Sequence, residues 1–199
     1  MTVARDVETT RGLARVYVDD ASDPQRLLVL GHGAGGGVQA PDLAALASAL
    51  PDSGTSVWRV EQPWRVAGKR VAAAPSVLDD AWLQILSAVP RCVPVVLGGR
   101  SAGARVACRC AATVGAVAVV ALAFPLHPPG KPEKSRAAEL DAVDVPTLVV
   151  QGAADPFGRP AEFAAAPGRE LVAVPGDHSL RAATHEVVEA VAAFVAANA

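Results

Sequence analysis

The chain has 199 residues, of which 51% are hydrophobic, 19% charged and only 4% aromatic, and its formal net charge is −2. That length suits one domain with a continuous core built mainly from Ala, Val and Leu, and the profile is globular, not disordered. So small a negative charge offers no global attraction for phosphate backbones or anionic lipid, which argues against nucleic acid or a membrane surface as a partner.

Residues 1–6 carry charges and no apolar run of signal-peptide length, and no later stretch approaches the ~20 apolar residues of a spanning helix. The expectation is a cytoplasmic protein. Cys92, Cys108 and Cys110 lack the spacing of a metal site or a disulfide framework, and all three read as small reduced core residues.

Short β-branched apolar runs alternate with longer stretches of helical spacing, the pattern of an α/β fold on a mostly parallel sheet. Residues 3–20 read as an edge hairpin turning at Thr9-Thr10-Arg11-Gly12. Residues 26–30 form the first strong strand, which runs into Gly31-His32-Gly33-Ala34-Gly35-Gly36-Gly37, a loop able to bring backbone N–H groups close to a ligand. A helix over 41–50 follows, with Leu43, Leu46, Ala47 and Leu50 on one face.

Residues 57–60 are the next strand and 75–89 the next helix, whose wide stripe comprises Val77, Leu78, Ala81, Trp82, Ile85, Leu86 and Val89. The run 93–98 is apolar on both faces, as a covered parallel strand must be. A helix starts abruptly at Ser101, and its small face of Gly103, Ala107 and Cys110 lets it lie close to the sheet. Residues 117–124 and 147–150 are central strands, and 171–174 is the last. The closing helix turns Val187, Val188, Val191, Phe194 and Val195 inward. The only long irregular excursion in the second half, 126–140, is too short for a lid domain, so the site is expected to be shallow.

Gly99-Arg100-Ser101-Ala102-Gly103 is a G-x-S-x-G placed after an apolar strand and before a helix, the context of a nucleophile elbow. A serine hydroxyl needs a base and an orienting acid, which this type of site supplies in the chain order serine, acid, histidine. Asp155 follows the strand 147–150 and His178 follows the strand 171–174, each at the carboxyl end where open α/β sheets place ligands. Asp177 is the rival acid, disfavoured because a residue adjacent to the histidine rarely folds back to hold its imidazole. The oxyanion donors expected are the backbone N–H of Ala102 and those of the loop at Gly33 and Ala34. His32 is expected to brace that loop.

Arg65, Lys69 and Arg70 cluster after the strand 57–60, as either a solvated basic loop or an anion site for an acidic substrate, which Lys131 and Lys134 would extend. His127, after the strand 117–124, is either a packing residue or part of a substrate pocket. His185 reads as a surface residue. Arg105 and Arg109 stand at i,i+4 spacing and should pair with acidic neighbours.

These motifs together resemble a family of small α/β-hydrolase-like proteins related to dienelactone hydrolase, which includes bacterial hydrolases, an animal testis-expressed protein and a subunit of a histone-acetyltransferase complex. The resemblance spans nearly the whole chain. It rests on Gly31-His32-Gly33-Ala34-Gly35 and on the segment from Gly98 to Ala107. The specific block Pro125-Leu126-His127-Pro128-Pro129-Gly130-Lys131-Pro132-Glu133-Lys134 adds to it, as do Gln151-Gly152, Asp155-Pro156-Phe157-Gly158 and Gly176-Asp177-His178-Ser179. It implies an α/β-hydrolase fold without a large lid. Dienelactone hydrolase uses a cysteine nucleophile where serine stands here, so its substrate is not implied.

The expectation is a serine hydrolase acting on an ester-like bond of a small substrate through Ser101, His178 and Asp155, with no metal or organic cofactor. The alternatives are a binding or scaffold module on the same fold and an acyltransferase using the same triad, the latter differing only in pocket shape and water access.

Overall fold

The computed structural model describes residues 2–88 and 92–199. Strand β1 (Val3–Thr9) turns into β2 (Gly12–Asp19), which is followed by β3 (Arg26–Gly31), β4 (Thr55–Glu61), β5 (Val95–Arg100), β6 (Ala118–Leu122), β7 (Thr147–Gly152) and β8 (Arg169–Val174). They form one eight-stranded sheet in the order β1-β2-β4-β3-β5-β6-β7-β8. β1 and β2 run antiparallel at one edge, and every pairing from β4 onward is parallel. The apolar runs become strands because both faces of the central sheet are covered: β6 and β7 are buried along their whole length.

Helices α1 (Pro41–Ala49) and α6 (Thr184–Asn198) cover one face, where Leu43, Leu46 and Leu50 pack with Val187, Val191 and Phe194. The other face carries α3 (Pro75–Ser87) and α4 (Ala102–Val114), with Trp82 wholly buried. Short helices α2 (Pro63–Val66) and α5 (Ala137–Asp141) complete that side. Neither short helix was expected from periodicity, because one turn of helix carries too few residues to display a stripe. The stripe on α3 is buried as expected at Leu78, Ala81, Trp82, Ile85 and Leu86, while Val89 lies outside the described residues.

Arg109 joins α4 to α3 through two hydrogen bonds to Asp79, at 2.7 and 2.8 Å, and joins it to α5 through Glu139 at 3.0 Å. Arg105 also grips Glu139. The cysteine expectation needs one correction. Cys108 and Cys110 are buried, with burial pushing both thiols up to about 12, but Cys92 is exposed. It stands three residues before β5, outside the apolar run.

Candidate active site

In the sheet register Gly31 of β3 pairs with Gly99 of β5, and α4 begins directly over that pair. A Cβ at Gly103 would stand 2.2 Å from the Gly31 carbonyl oxygen, and one at Gly99 would stand 2.6 Å from it. Only glycine lets helix and strands approach this closely. The reversal is made by Ser101 at φ 55°, ψ −112°, a conformation side chains rarely adopt, and its own N–H donates to the Leu122 carbonyl at 2.9 Å. A non-glycine residue held there costs about 1–3 kcal/mol, supported by the packing around it.

The histidine loop brings His178 Nε2 to 2.9 Å from Ser101 Oγ. On the other side of the ring, Nδ1 lies 2.8 Å from Asp155 Oδ2, so Nδ1 carries the proton and Nε2 is left to accept from the serine hydroxyl. Asp155 is fully buried. Its Oδ1 accepts from the Phe157 N–H and its Oδ2 from Gln151 Nε2, both at 2.8 Å. Asp177 turns away: its Oδ1 accepts from the N–H and hydroxyl of Ser179, which lowers its own pKa. Of the two acids weighed from the sequence, Asp155 therefore meets the imidazole.

Acid and histidine loops are tied by backbone bonds from Ala153 to Val174 and from Ala154 to Gly176, at 2.8 and 2.9 Å. Gly152 permits the approach, since a Cβ there would lie 2.5 Å from the Asp177 carbonyl oxygen. The Phe157 ring lies against His178 with centroids 4.2 Å apart.

The loop after β3 runs beside the serine: a Cβ on Gly33 would come 3.4 Å from that of Ser101. His32 holds this loop from beneath. Its Nε2 accepts from the Gln62 N–H at 3.3 Å and its Nδ1 donates to the Gly33 carbonyl at 2.9 Å, a neutral tautomer favoured by burial, which lowers its pKa. Ala102 is the first residue of α4, with its backbone at the positive end of a 13-residue helix.

Residues 24–196 match the alpha/beta hydrolase domain family. The chain belongs to the alpha/beta hydrolase family. Solved structures of the same fold include a serine hydrolase homologue from Coxiella burnetii, with TM-score 0.81, 17% identity and 97% of each chain covered. A lidless serine hydrolase from Xanthomonas campestris matches with TM-score 0.72 and 23% identity over 94% of each chain. A dienelactone hydrolase from Anabaena variabilis matches with TM-score 0.77 and 18% identity over 100% of this chain and 98% of that one. Like the Xanthomonas protein, this alpha/beta hydrolase has no lid domain among the described residues: segment 126–140 holds only the start of α5. No described helix is long and apolar enough to cross a membrane.

The candidate substrate residues are scattered. Arg65 is half-buried beside the glycine loop, its Nε 3.9 Å from a Cβ built on Gly37, whereas Arg70 and Lys131 are exposed. His127 is buried, with Nδ1 2.9 Å from the Pro128 carbonyl and Nε2 2.9 Å from Glu162 Oε2. Its own N–H donates to the Phe157 carbonyl at 3.0 Å, which links it to the acid loop.

Three residues quoted within the sequence motifs have supporting roles that the sequence reading did not assign. Gln151 Nε2 donates to Asp155 and to the Gly158 carbonyl, both at 2.8 Å, and Phe157 covers the imidazole. Arg100 Nη2 donates to the His178 carbonyl at 2.6 Å, with buried Asp42 3.2 Å from its Nε. The one visible signal was Gln151 itself, a polar residue next to the end of an apolar strand and four positions before Asp155.

Proposed function

We propose that this alpha/beta hydrolase cleaves a carboxylic ester or thioester of a small substrate through a serine-bound acyl intermediate. The reading is carried by the unbroken hydrogen-bond series from Ser101 Oγ through both His178 nitrogens to Asp155, at 2.9 and 2.8 Å. His178 Nε2 takes the hydroxyl proton as Ser101 Oγ attacks the carbonyl, and the Asp155 carboxylate stabilises the imidazolium that forms. The tetrahedral oxygen is held by the N–H of Ala102 and the N–H groups of Gly33 and Ala34. His178 then protonates the leaving alcohol or thiol, and a water activated by the same nitrogen releases the acid. None of these steps calls on a metal or organic cofactor.

The short 126–140 excursion leaves little protein to enclose a long chain, so acetyl and butyryl esters are the expected substrates. The test is labelling by a fluorophosphonate probe read by intact mass, with p-nitrophenol release from acetate and butyrate esters and Ser101→Ala as control. Labelling and turnover lost together in Ser101→Ala support the reading. A folded wild type that neither labels nor turns over would overturn it in favour of a binding module, and turnover confined to long-chain esters would overturn the acyl-length assignment.

A further inference from the structure

A groove of about 480 Å³ opens on the flank of the triad, between the glycine loop after β3 and the histidine loop. Arg65 lines it from beyond the end of β4, and Arg181 from just past His178. Arg100, the neighbour of Ser101, lines it as well, but its charge is offset by Asp42.

Arg65 and Arg181 differ from the seven arginines of this chain that are held in ion pairs. Arg11, Arg15, Arg59, Arg100, Arg105, Arg109 and Arg169 each face a carboxylate. Among the described residues no carboxylate pairs with Arg65 or Arg181. A guanidinium stays charged at any physiological pH, so two unpaired ones bordering one concavity leave it positive. The glycine loop beside them is bare of side chains: a Cβ on Gly37 would meet only Arg65, and one on Gly36 only Arg100. A ligand can therefore lie against backbone and guanidinium together.

Glu61 is the one acid in the lining, and its carboxylate accepts from the Tyr17 hydroxyl at 3.3 Å. With Arg65 and Arg181 at +2 and Glu61 at −1, the local balance is +1, which matches a monoanion better than a dianionic phosphate.

We propose that the groove binds a carboxylate, and that the substrate is an ester or thioester bearing a carboxylate apart from the reacting carbonyl. This rests on the serine-hydrolase reading. The Ser101–acyl bond forms as the ester C–O or thioester C–S bond breaks, water then cleaves the acyl-serine, and the distant carboxylate passes through unchanged.

The experiment compares kcat/KM for two matched pairs: monoethyl against diethyl adipate, and 4-acetoxybenzoate against its methyl ester. The expected result is that the anionic member is preferred in at least one pair. The anionic-to-neutral ratio should then fall about tenfold in Arg65→Gln and in Arg181→Gln, mainly through KM, with Arg65→Lys restoring part of it. A ratio the same in wild type and both glutamine variants would overturn the proposal, and stronger competition by propyl phosphate than by butyrate would overturn the choice of carboxylate. If Ser101 neither labels nor turns over any ester, the hydrolase reading fails by itself. Calorimetric titration with adipate then decides the groove: binding lost in the Arg65→Gln/Arg181→Gln double variant supports it, and binding absent from wild type or equal in both overturns it.

Discussion

Arg100 Nη2 donates to the backbone carbonyl of His178 at 2.6 Å, so the residue before Ser101 holds the loop that carries His178. Behind it, Asp42 Oδ2 approaches Arg100 Nε at 3.2 Å without the alignment of a hydrogen bond. Asp42 is wholly buried, and burial raises its pKa while the Arg100 charge opposes that rise. Removing one partner of a buried pair leaves the other charge uncompensated, at a cost of about 3 kcal/mol or more. Arg100→Met and Asp42→Asn should each lower the urea-unfolding free energy by roughly that amount, and the double variant by less than their sum. Arg100→Met should also lower kcat/KM about tenfold, because only it removes the bond to His178. Additive stability losses would show that the two groups do not act as a pair.

Ser101 holds a backbone conformation, φ 55°, that side chains rarely adopt. Glycine adopts φ 55° freely, so Ser101→Gly should abolish probe labelling while raising unfolding free energy by about 1 kcal/mol. Paired denaturation curves of Ser101→Gly and Ser101→Ala check this. A glycine variant less stable than the alanine one would mean that the turn is not strained.

Gln151 is fully buried and its amide nitrogen serves Asp155 and the Gly158 carbonyl at 2.8 Å each. Gln151→Met keeps volume but removes a donor to the acid and frees the acid loop. We expect kcat to fall about 10- to 100-fold with KM little changed. Unaltered kcat in steady-state assays would show that His178 and the Phe157 N–H suffice to hold the acid.

His127 has its pKa raised, first by the Pro128 carbonyl and then by Glu162, so its folded-state pKa lies above the ordinary 6.5. The stability it contributes is fully present below 6.5 and is lost as pH rises through the folded value. Thermal melts of wild type and His127→Gln should therefore differ most near pH ~5.5 and converge toward pH ~9. His32 has the opposite sign: burial lowers its pKa, so the stability of its neutral form is present above 6.5 and declines as pH falls below it. A gap between wild type and His127→Gln that widened with pH would contradict the protonated pairing with Glu162.

Much of the fold was legible because it is encoded over short stretches. The apolar runs read as central strands over 117–124 and 147–150 contain β6 (Ala118–Leu122) and the start of β7 (Thr147–Gly152), and the hairpin turn at Thr9 to Gly12 falls where its residues suggested. The segment expected as a helix from Ser101 begins one residue later, since the serine itself occupies the reversal. One-turn elements such as α2 left no periodic trace, and Cys92 looked apolar because residue type alone does not report what covers a turn.

Sequence by itself determined the alternation of strand and helix and the glycine spacing about Ser101, because each depends on neighbours a few residues apart, and the chain order of serine, acid and histidine is read directly along it. The preference for Asp155 over Asp177 was also legible, and the tertiary structure supplies its geometry, bringing Asp155 to the imidazole from 23 residues away while Asp177 bonds Ser179. Only the tertiary structure decided the placing of Asp42 behind Arg100, of Gln151 beside Asp155, and of two unpaired arginines beside one groove. Those relationships arise where the sheet order brings loop ends together, and the free energy that fixes them is burial and charge pairing across the fold, which no local pattern records.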